Sequence, residues 1–340
     1  MNKSNPSPEG PPLFVAVGAS AGGVEALLRL ASELPADFPG VVCMVLHIGP
    51  HHSILPELLR GRARRPAMHP RDGQRALPGT IYVAPPDHHL LLEGDVLRLS
   101  RSARENLARP AIDPLFRSAA VHWRERAVGV VLTGCLDDGA AGLAAIKEAG
   151  GIAVVQDPDD APEREMPLAA LAATQVDACL PLAEVAPYLQ RLAETRRPAA
   201  TAPMPERLGR ELAINQGADS MEHLGHIADT SNLTCPDCGG ALWEVREQNV
   251  LRYRCHTGHA FGAASLAYGQ GQVANQQLWG GLRALRERAM LLRRMATVAR
   301  GMDDPDQAAV IQSQVAEVER QAANVEELLH SESSAALGGA

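Results

Sequence analysis

Ser20 lies in a turn of small residues that could present a nucleophile. The segment Gly18–Gly23 reads GASAGG, follows the apolar run Leu13–Val17 and precedes leucines at helical spacing. A sharp turn from strand to helix exposes its serine at the edge of a sheet, beside helix N–H groups that favour a developing negative charge. Glycine-rich turns also cradle phosphate groups. The turn alone therefore leaves a nucleophile, a phosphate site and a plain tight turn open.

The next polar residues at predicted strand ends favour the nucleophile. Val41–Leu46 is apolar and ends at His47, whereas a dinucleotide site would need an acidic residue there to hold a ribose. A histidine beside a serine suits a general base. The run Val128–Leu132 leads into a second glycine-rich turn, which contains Asp137 and Asp138. Either aspartate by itself would be expected only to cap the helix that follows.

Three chemically useful side chains therefore each follow a predicted strand. The carboxyl ends of parallel strands meet at one edge of a doubly wound sheet, so Ser20, His47 and an aspartate would lie together. Such a group forms an acyl-transfer triad, in which the histidine takes the serine proton and the aspartate orients the histidine. The chain order Ser, His, Asp differs from the order Ser, Asp, His of the α/β-hydrolases.

The surrounding pattern predicts the α/β fold that this triad requires. Apolar runs alternate with helical patterns from residue 13 to about 195, which indicates a doubly wound, mostly parallel sheet. The predicted strands are Leu13–Val17, Val41–Leu46, Thr80–Ala84, Val128–Leu132, Ile152–Val155 and Ala178–Leu180, with a β-hairpin over His88–Ser100. The predicted helices are Val24–Glu33, Ser53–Arg62, Ile112–Trp123, Ala140–Ala149 and Pro167–Ala173.

A second group of reactive residues lies in the C-terminal part of the chain. Cys235 and Cys238 form a C-x2-C pair, and Cys255 comes after 16 intervening residues. With His259 these residues have the spacing of a zinc ribbon, in which two ligand pairs hold a tetrahedral Zn2+ ion. His256 is the alternative fourth ligand. All four positions are filled by protein ligands, so we expect a structural site and not a catalytic one.

The remaining C-terminal sequence predicts a linker and two helices. Residues 194–232 are expected to form a linker, because Thr195–Pro205 is rich in Pro, Ala and Arg. Apolar residues then recur at steps of three and four over 272–330, around a turn at Gly301–Asp306. This pattern is typical of a helical hairpin or a coiled-coil arm, through which the chain could form a homodimer. The predicted divisions are thus 12–193, 194–232, 233–262 and 272–330.

Composition excludes two broad functions. The net charge of −8 argues against a protein that binds nucleic acid, and the few arginines of the ribbon are too few to follow a phosphate backbone. The chain has no run of 18 apolar residues, and its first 12 residues contain no apolar signal core. We therefore expect a cytoplasmic protein that does not insert into a membrane.

Several segments together resemble the chemoreceptor protein-glutamate methylesterase (CheB-type) family. The residues that carry the resemblance are GASAGG at Gly18–Gly23, His47 after its strand, IYVAPPDHH at Ile81–His89, RPAIDPLF at Arg109–Phe116 and GVVLTG at Gly129–Gly134 with Asp138 before Gly139. The resemblance covers about residues 12 to 193. It implies hydrolysis of glutamate methyl esters on chemotaxis receptors and deamidation of certain receptor glutamines.

The resemblance also implies roles for individual residues. Ser20 would be the nucleophile, His47 the general base and then acid, and Asp138 the residue that orients the histidine. Asp137 occupies a position that varies in the family and is left out. The oxyanion would be held by the backbone N–H groups of Ala21 and Cys135. The partner would be the methylated helical bundle of a chemoreceptor, and the reaction would need no cofactor.

The sequence departs from the family pattern at three places. Family members usually carry a receiver domain, but here the first predicted strand begins at about residue 13, so we expect no control by phosphorylation of the same chain. They also usually have methionine at Cys135 and glycine at Glu165. A glutamate there would narrow or recharge the substrate cleft.

Two further expectations concern the C-terminal part. A flexible linker would let the ribbon and the helical arm move relative to the Ser20 cleft, so removing them would hardly change the turnover of a small ester. The alternative to an enzyme is a chemosensory scaffold that signals by binding, through the ribbon and the arm. An intact set of Ser20, His47 and Asp138 argues against the scaffold.

Overall fold

The computed structural model describes residues 13–49, 52–195, 204–247, 249–302 and 304–337. It divides into two compact units between Ala267 and Tyr268. The strands are β1 (Phe14–Ala19), β2 (Val41–Leu46), β3 (Ala67–Met68), β4 (Gln74–Arg75), β5 (Ile81–Val83), β6 (His89–Glu93), β7 (Val96–Ser100), β8 (Ala127–Val131), β9 (Ile152–Gln156), β10 (Ala178–Leu180), β11 (Ala228–Thr234), β12 (Ala241–Val245), β13 (Arg252–Cys255) and β14 (Ala260–Gly262). The helices are α1 (Gly23–Glu33), α2 (Leu55–Arg62), α3 (Ile112–Trp123), α4 (Ala140–Glu148), α5 (Glu165–Ala173), α6 (Leu182–Thr195), α7 (Glu206–Asn215), α8 (Ser220–Ile227), α9 (Ala263–Gly301) and α10 (Pro305–Leu337).

A seven-stranded parallel sheet forms the centre of the first unit. Its strand order is β10-β9-β8-β1-β2-β5-β3, and every neighbouring pair is parallel. Helices cover both faces, as crossover connections between parallel strands require. The predicted α/β class with a mostly parallel sheet is therefore confirmed.

Strand β1 shows why the sequence revealed this sheet. Val15 and Val17 face one buried layer, whereas Phe14 and Ala16 face the other. Successive side chains of a strand point to opposite faces, so a strand covered on both sides must be apolar throughout. Strands β2 and β8 obey the same constraint, since all their residues are buried.

Several elements of the first unit, among them the two-residue strand β3, differ from the predictions. Helix α6 was absent from the predicted set, and it carries Pro187 in its interior, a residue that normally indicates the end of a helix. The predicted hairpin over His88–Ser100 is present as β6 and β7, and β4 joins it to form a small antiparallel sheet. Strand β4 has only two residues, too few to show a pattern in the sequence.

The segment 194–232 is not a linker throughout. Residues 196–203 lie outside the described residues, but α7, α8 and the first residues of β11 fall within the rest of the segment. Helix α7 buries Leu208 in the same apolar core as α3 and the main sheet. Its few apolar residues are spread among charged ones, so the sequence indicated a solvated stretch.

Strands β11 to β14 form a second, four-stranded antiparallel sheet. Its order is β11-β12-β13-β14, and we call these strands with their turns the C-terminal sheet. It belongs to the same compact unit as the main sheet. Its small core contains Cys235, Leu242, Tyr253, Cys255, Phe261 and Leu266.

Buried charges connect the C-terminal sheet to the helices of the main sheet. Arg254 donates to Glu105 at 2.7 Å, and Arg252 donates to Glu211 of α7 at 2.5 Å. Arg117 of α3 also donates to Glu105. Each of these five side chains is at most 2% exposed. We call these five residues the interface ion network.

The interface ion network stabilises one arrangement of the two sheets. Burial raises the pKa of Glu211, but the charges of Arg252, Arg117 and Arg254 outweigh it and hold the pKa well below its usual range. A buried charge that loses its partner is strongly destabilising, by about 3–5 kcal/mol. The C-terminal sheet is therefore fixed to the main sheet and is not free to move on a tether.

Helices α9 and α10 make up most of the second unit. Arg286 pairs with Glu326, and Arg293 pairs with Glu319, so the two helices run antiparallel. Between them lies a row of small and aliphatic side chains: Ala289, Leu292, Ala296, Ala299, Ala308, Ile311, Val315 and Val318. Among the described helices, none has the length and apolarity needed to cross a bilayer.

Replacing Glu211 tests the interface ion network. We expect Glu211→Ala to lower the free energy of unfolding of the first unit by about 3–5 kcal/mol, because Arg252 would lose its partner at 2.5 Å and the buried network would be left with excess positive charge. Urea denaturation followed by circular dichroism measures this. The difference in stability between Glu211→Ala and the wild type should become smaller as the pH falls below the pKa of glutamate in the unfolded chain. The pKa of Glu211 in the folded protein is lowered, so the stabilisation that it gives the wild type is lost in that pH range.

Glu206 provides the matched control, because it lies on the same helix α7 but its side chain is 75% exposed in its pair with Arg210. We expect Glu206→Ala to cost at most about 1 kcal/mol. Equal losses in the two variants would contradict the network.

Candidate active site

The turn after β1 places Ser20 at the carboxyl edge of the main sheet. The Ser20 N–H donates to the carbonyl of Thr133 at 2.9 Å, and its own carbonyl accepts from the N–H of Gly23 at 2.8 Å. Gly22 has φ +73°, a left-handed conformation that favours glycine, and helix α1 begins directly after it. The serine hydroxyl therefore lies just before a helix N-terminus.

Ser20, His47 and Asp138 form one continuous chain of hydrogen-bonding side chains. Ser20 Oγ lies 3.1 Å from His47 Nδ1, and His47 Nε2 lies 2.7 Å from Asp138 Oδ2. The residues follow β1, β2 and β8, which are adjacent in the sheet. A carboxylate only accepts, so Nε2 carries the proton and the lone pair of Nδ1 faces the serine hydroxyl.

The orientation of the His47 ring could not be read from the sequence. In the serine-protease arrangement the serine faces Nε2 of the histidine and the aspartate faces Nδ1. Here the two nitrogens exchange these partners. The chemistry is unchanged, because either ring nitrogen can accept a proton while the other donates.

Asp138 is a buried carboxylate surrounded by donors. Its Oδ2 accepts from the N–H of Ile112 at 2.6 Å as well as from His47, and its Oδ1 accepts from Asn106 Nδ2 at 2.7 Å and from the N–H of Asp113 at 3.2 Å. Burial raises the pKa of Asp138. This effect is outweighed by the hydrogen bond and the charge of His47 and by the hydrogen bonds from Ile112 and Asn106, so the pKa of Asp138 lies below its ordinary value. The carboxylate is therefore ionised and orients the histidine.

Asp137, next in sequence, points away from the histidine. Its Oδ2 accepts from the N–H of Ala264 at 2.8 Å, and its Oδ1 accepts from the N–H of Ser265 at 3.1 Å and from the Ser265 hydroxyl. An aspartate in this position caps helix α9. The two adjacent aspartates thus have different tasks.

Backbone N–H groups near Ser20 differ in their availability. Gly134 donates its N–H to the carbonyl of Glu163 at 3.0 Å. Within the described residues, the N–H groups of Ala21 and Cys135 donate to no protein acceptor. A Cβ added at Gly134 would come within 2.8 Å of Ser20 Cβ, so the turn that carries Cys135 lies directly against the nucleophile. Ala21 and Cys135 thus have backbone N–H groups near Ser20 that no other acceptor of the described residues occupies.

Glu165 holds the shape of this turn. Its carboxylate accepts from the N–H of Leu136 at 2.7 Å, and Leu136 has φ +63°, a conformation that needs support in a residue other than glycine. The carboxylate of Glu165 also lies at the N-terminus of α5, where negative charge is favourable.

A cleft of about 650 Å³ opens beside His47. Its wall includes Arg104, Leu107 and Arg109 from the loop before α3, and His259 from the C-terminal sheet. The C-terminal sheet therefore contributes to the wall of the cleft beside His47.

Asp87 lies in the wall of the same cleft and is fixed by two arginines. It pairs with Arg101 and with Arg109, the latter at 2.6 Å. The hydrogen bonds from Arg101 and Arg109 lower the pKa of Asp87 to about 2. Through Arg109, Asp87 is therefore joined to the loop before α3 within the cleft wall.

Four potential metal ligands lie together in the turns of the C-terminal sheet. One ligand atom each from Cys235, Cys238, Cys255 and His259 lies within 4.8 Å of the others. The Cys238–Cys255 sulfur distance is 3.7 Å, and His259 Nδ1 lies 3.5 Å from the Cys255 sulfur and 3.8 Å from the Cys235 sulfur. A tetrahedral Zn2+ ion requires edges of about 3.7 Å between sulfurs and about 3.5 Å between sulfur and nitrogen. The residues therefore fit this metal.

The sequence alternative His256 is not in this group. Its ring packs against Gly240, where an added Cβ would lie 2.1 Å from the imidazole. Cys255 donates its N–H to the carbonyl of His259 at 2.9 Å, which closes the turn and brings His259 back to the cysteines.

Sequence reasoning missed Asn106, Asp113 and the interface ion network. Asn106 lies in the loop between β7 and α3, and no pattern around it indicates contact with Asp138. The one available signal was its position three residues before the Arg109–Phe116 motif.

Comparisons with known proteins identify relatives of the first part of the chain. The family model for CheB methylesterase matches residues 15–189. A putative protein-glutamate methylesterase/protein-glutamine glutaminase of Leptospira interrogans is 39% identical over 184 residues, which are 52% of this chain and 93% of the relative. Protein-glutamate methylesterase/protein-glutamine glutaminase 2 of Burkholderia lata is 41% identical over 54% of this chain, and the match spans only 55% of that relative's length.

A solved structure has the same architecture. The crystal structure of the Thermotoga maritima CheB methylesterase catalytic domain aligns with a TM-score of 0.52 and 28% sequence identity. The alignment covers 53% of this chain and 98% of the solved domain. The chain thus belongs to the CheB methylesterase family.

Proposed function

We propose that this protein hydrolyses methyl esters of glutamate side chains on chemotaxis receptors and deamidates certain receptor glutamines. The main observation in support is the continuous hydrogen-bonded chain from Ser20 through His47 to Asp138. The names of the Leptospira and Burkholderia relatives supply the substrate class. The scaffold alternative gains no support from the comparisons.

The first half of the proposed reaction forms an acyl-enzyme. Ser20 Oγ attacks the ester carbonyl while His47 Nδ1 takes the hydroxyl proton. The resulting imidazolium donates its Nε2–H to the ionised Asp138, which stabilises the positive charge at 2.7 Å. The oxyanion of the tetrahedral intermediate accepts from the N–H groups of Ala21 and Cys135, and each such donor is typically worth about 3 kcal/mol.

The second half of the reaction returns the enzyme to its starting state. His47 gives its proton to the leaving oxygen, and methanol departs. Water then attacks the acyl-enzyme, His47 removes a proton from that water, and the proton passes to Ser20 as the glutamate carboxylate is released. A glutamine substrate follows the same course with ammonia as leaving group. No cofactor takes part in these steps.

The substrate would be a modified side chain on the helical bundle of a methylated receptor. The cleft of about 650 Å³ beside His47 is large enough for one side chain together with part of the helix that carries it. Arg104 lies in the wall of this cleft, where it pairs with Asp237 at 3.0 Å. Cytoplasmic location and homodimer formation through the C-terminal helices stay predictions.

We also propose that Cys235, Cys238, Cys255 and His259 bind one structural Zn2+ ion. The edge lengths of this group support the assignment. A bound Zn2+ would supply folding energy to the C-terminal sheet and take no part in the ester chemistry.

Loss of the nucleophile or base tests the esterase. We expect Ser20→Ala and His47→Ala each to remove methanol release from methylated receptor membranes, by about 10³-fold or more, with the circular dichroism spectrum unchanged. His69, whose Nδ1–H donates to the carbonyl of Val83 at 2.9 Å, is the matched control outside the triad. A His69→Ala variant as inactive as His47→Ala would contradict the assigned base.

The two adjacent aspartates provide the sharpest test of the third triad member. Asp138→Asn should lower kcat by about 10⁴-fold, because an amide can stabilise the wrong tautomer of His47 and cannot balance the imidazolium. Asp137→Asn should keep most of the activity, because its amide oxygen can still accept from the N-terminus of α9. Steady-state kinetics with one ester substrate decide between them, and a larger loss for Asp137→Asn would reverse the assignment.

Metal content tests the zinc site. Elemental analysis of freshly purified protein should find about one zinc per chain, and Cys238→Ser should lower this content and the melting temperature. Cys179→Ser is the control, since Cys179 is also exposed and lies on β10 of the main sheet. Metal-free wild-type protein would refute the assignment.

A further inference from the structure

Asn106 connects the triad to the C-terminal sheet through one buried amide group. Its Nδ2 donates to Asp138 Oδ1 at 2.7 Å and to Asp113 Oδ2 at 3.0 Å. Its Oδ1 accepts from the N–H of Gly262, on β14, at 2.8 Å. The residue is 7% exposed. Both amide hydrogens and the amide oxygen are thus engaged away from solvent.

These partners allow only one orientation of the Asn106 amide. Rotation by 180° would aim the oxygen at the carboxylates of Asp113 and Asp138, and the NH2 group at the N–H of Gly262. Each of those encounters brings two acceptors or two donors together in a buried place, which costs free energy. The Gly262 N–H therefore helps to keep the NH2 group on Asp138.

The same NH2 group lies between two buried carboxylates. Asp113 is 2% exposed, and its other oxygen accepts from the N–H of Gly142 at 2.6 Å. Burial and the negative charge of Asp138 raise the pKa of Asp113 to about 7. A donor shared by both carboxylates stabilises negative charge on the pair and so favours the ionised form of Asp138.

Strand β14 also holds the backbone of the loop that carries Asn106. The N–H of Asn106 donates to the carbonyl of Ala260 at 2.8 Å, and the N–H of Ala260 donates to the carbonyl of Arg104 at 3.3 Å. Asn106 has φ +48° and Leu107 has φ +64°. Two consecutive residues in the left-handed region persist only where the surroundings hold them, and β14 supplies those bonds.

We infer that Asn106 is a positioning residue for Asp138 and that β14 makes the C-terminal sheet a structural part of the esterase site. The observation that carries this inference is the pair of hydrogen bonds that Asn106 makes to Asp138 and to Gly262. The inference rests on the proposed function, because it assigns Asn106 a role in activating Ser20.

The test uses the reactivity of Ser20 in the full-length protein. An alkyl fluorophosphonate modifies only an activated serine, and mass spectrometry measures the second-order rate constant without any receptor substrate. We expect Asn106→Ala to slow this modification by roughly 10- to 100-fold, the effect of losing one hydrogen bond to a charged group. With a small ester substrate, kcat should fall by a similar factor while KM changes little, because the side chain of Asn106 does not line the cleft.

A spectroscopic signature separates positioning from general destabilisation. The proton on His47 Nε2, held by Asp138 at 2.7 Å, should give a downfield proton resonance in the wild type. This resonance should shift or broaden in Asn106→Ala.

Asn215 provides the matched control. It is also a buried asparagine, 1% exposed, and it bridges Glu105 and Arg117 in the interface ion network without contact to Asp138. Asn215→Ala removes a neutral side chain and leaves every ion pair of the network in place, so it should lower the melting temperature yet leave the Ser20 modification rate within about twofold of wild type when measured below that temperature. An equal loss of Ser20 reactivity in both variants would overturn the inference.

Gly262→Ala tests the contribution of β14. An added Cβ would lie 2.2 Å from Asp137 Oδ2, whose carboxylate accepts from the N–H groups of Ala264 and Ser265, so relief of the clash displaces either β14 or the start of α9 that directly follows it. We expect slower Ser20 modification in Gly262→Ala. The double variant with Asn106→Ala should be no slower than Asn106→Ala alone, because both changes remove the same hydrogen bond between Gly262 and Asn106. Additive losses, or a folded Gly262→Ala protein of wild-type reactivity, would refute the role of β14.

The two proposals can fail separately. If the wild-type protein releases no methanol from methylated receptors but Ser20 modification depends on Asn106, the receptor function is wrong and the inference stands. If the wild type is an active methylesterase and Asn106→Ala modifies at the wild-type rate, the inference is wrong and the function stands.

Discussion

The active site depends on keeping one carboxylate ionised out of water. Asp138 is 2% exposed, and an isolated charge in such a place would simply bind a proton. Its oxygens are instead surrounded by N–H groups from Asn106, Ile112, Asp113 and Gly139, together with His47. Apart from His47, these donors come from the loop before α3, the start of α3 and the turn after β8, so all three must be in place before the histidine is held correctly.

The same requirement involves the C-terminal sheet, because Asn106 bonds both to Asp138 and to Gly262 of β14. Asp138 holds His47, while its neighbour Asp137 holds the start of α9 directly after β14. The loop that carries Asn106 hydrogen-bonds to Asp138 through its side chain and to Ala260 of β14 through its backbone. The expectation that the ribbon moves freely relative to Ser20 is wrong. The composition of Thr195–Pro205 suggested a flexible linker, but the C-terminal sheet makes buried ion pairs with Glu105 and Glu211.

The sequence allowed prediction of those parts of the structure that follow from local rules. Strands such as β1 must be apolar throughout because they are covered on both faces. Polar residues directly after such strands meet at one edge of the sheet, so Ser20, His47 and Asp138 could be predicted to lie together. Asn106 and Glu105 carry no such local pattern. Their partners, Gly262 and Arg254, are about 150 residues distant, and a pairing over that distance depends on how the chain folds back.

The Thermotoga domain corresponds to about half of this chain, so the main sheet can exist in a relative without a counterpart for the rest. In this protein, however, Glu105 and Arg117 are buried beside Arg254 of β13. An apolar interface would tolerate small slides of one sheet across the other. A buried ion network does not, because any slide leaves a charge without its partner. The ions that join the two sheets therefore fix the position of β14, and the position of β14 in turn fixes the amide that supports Asp138.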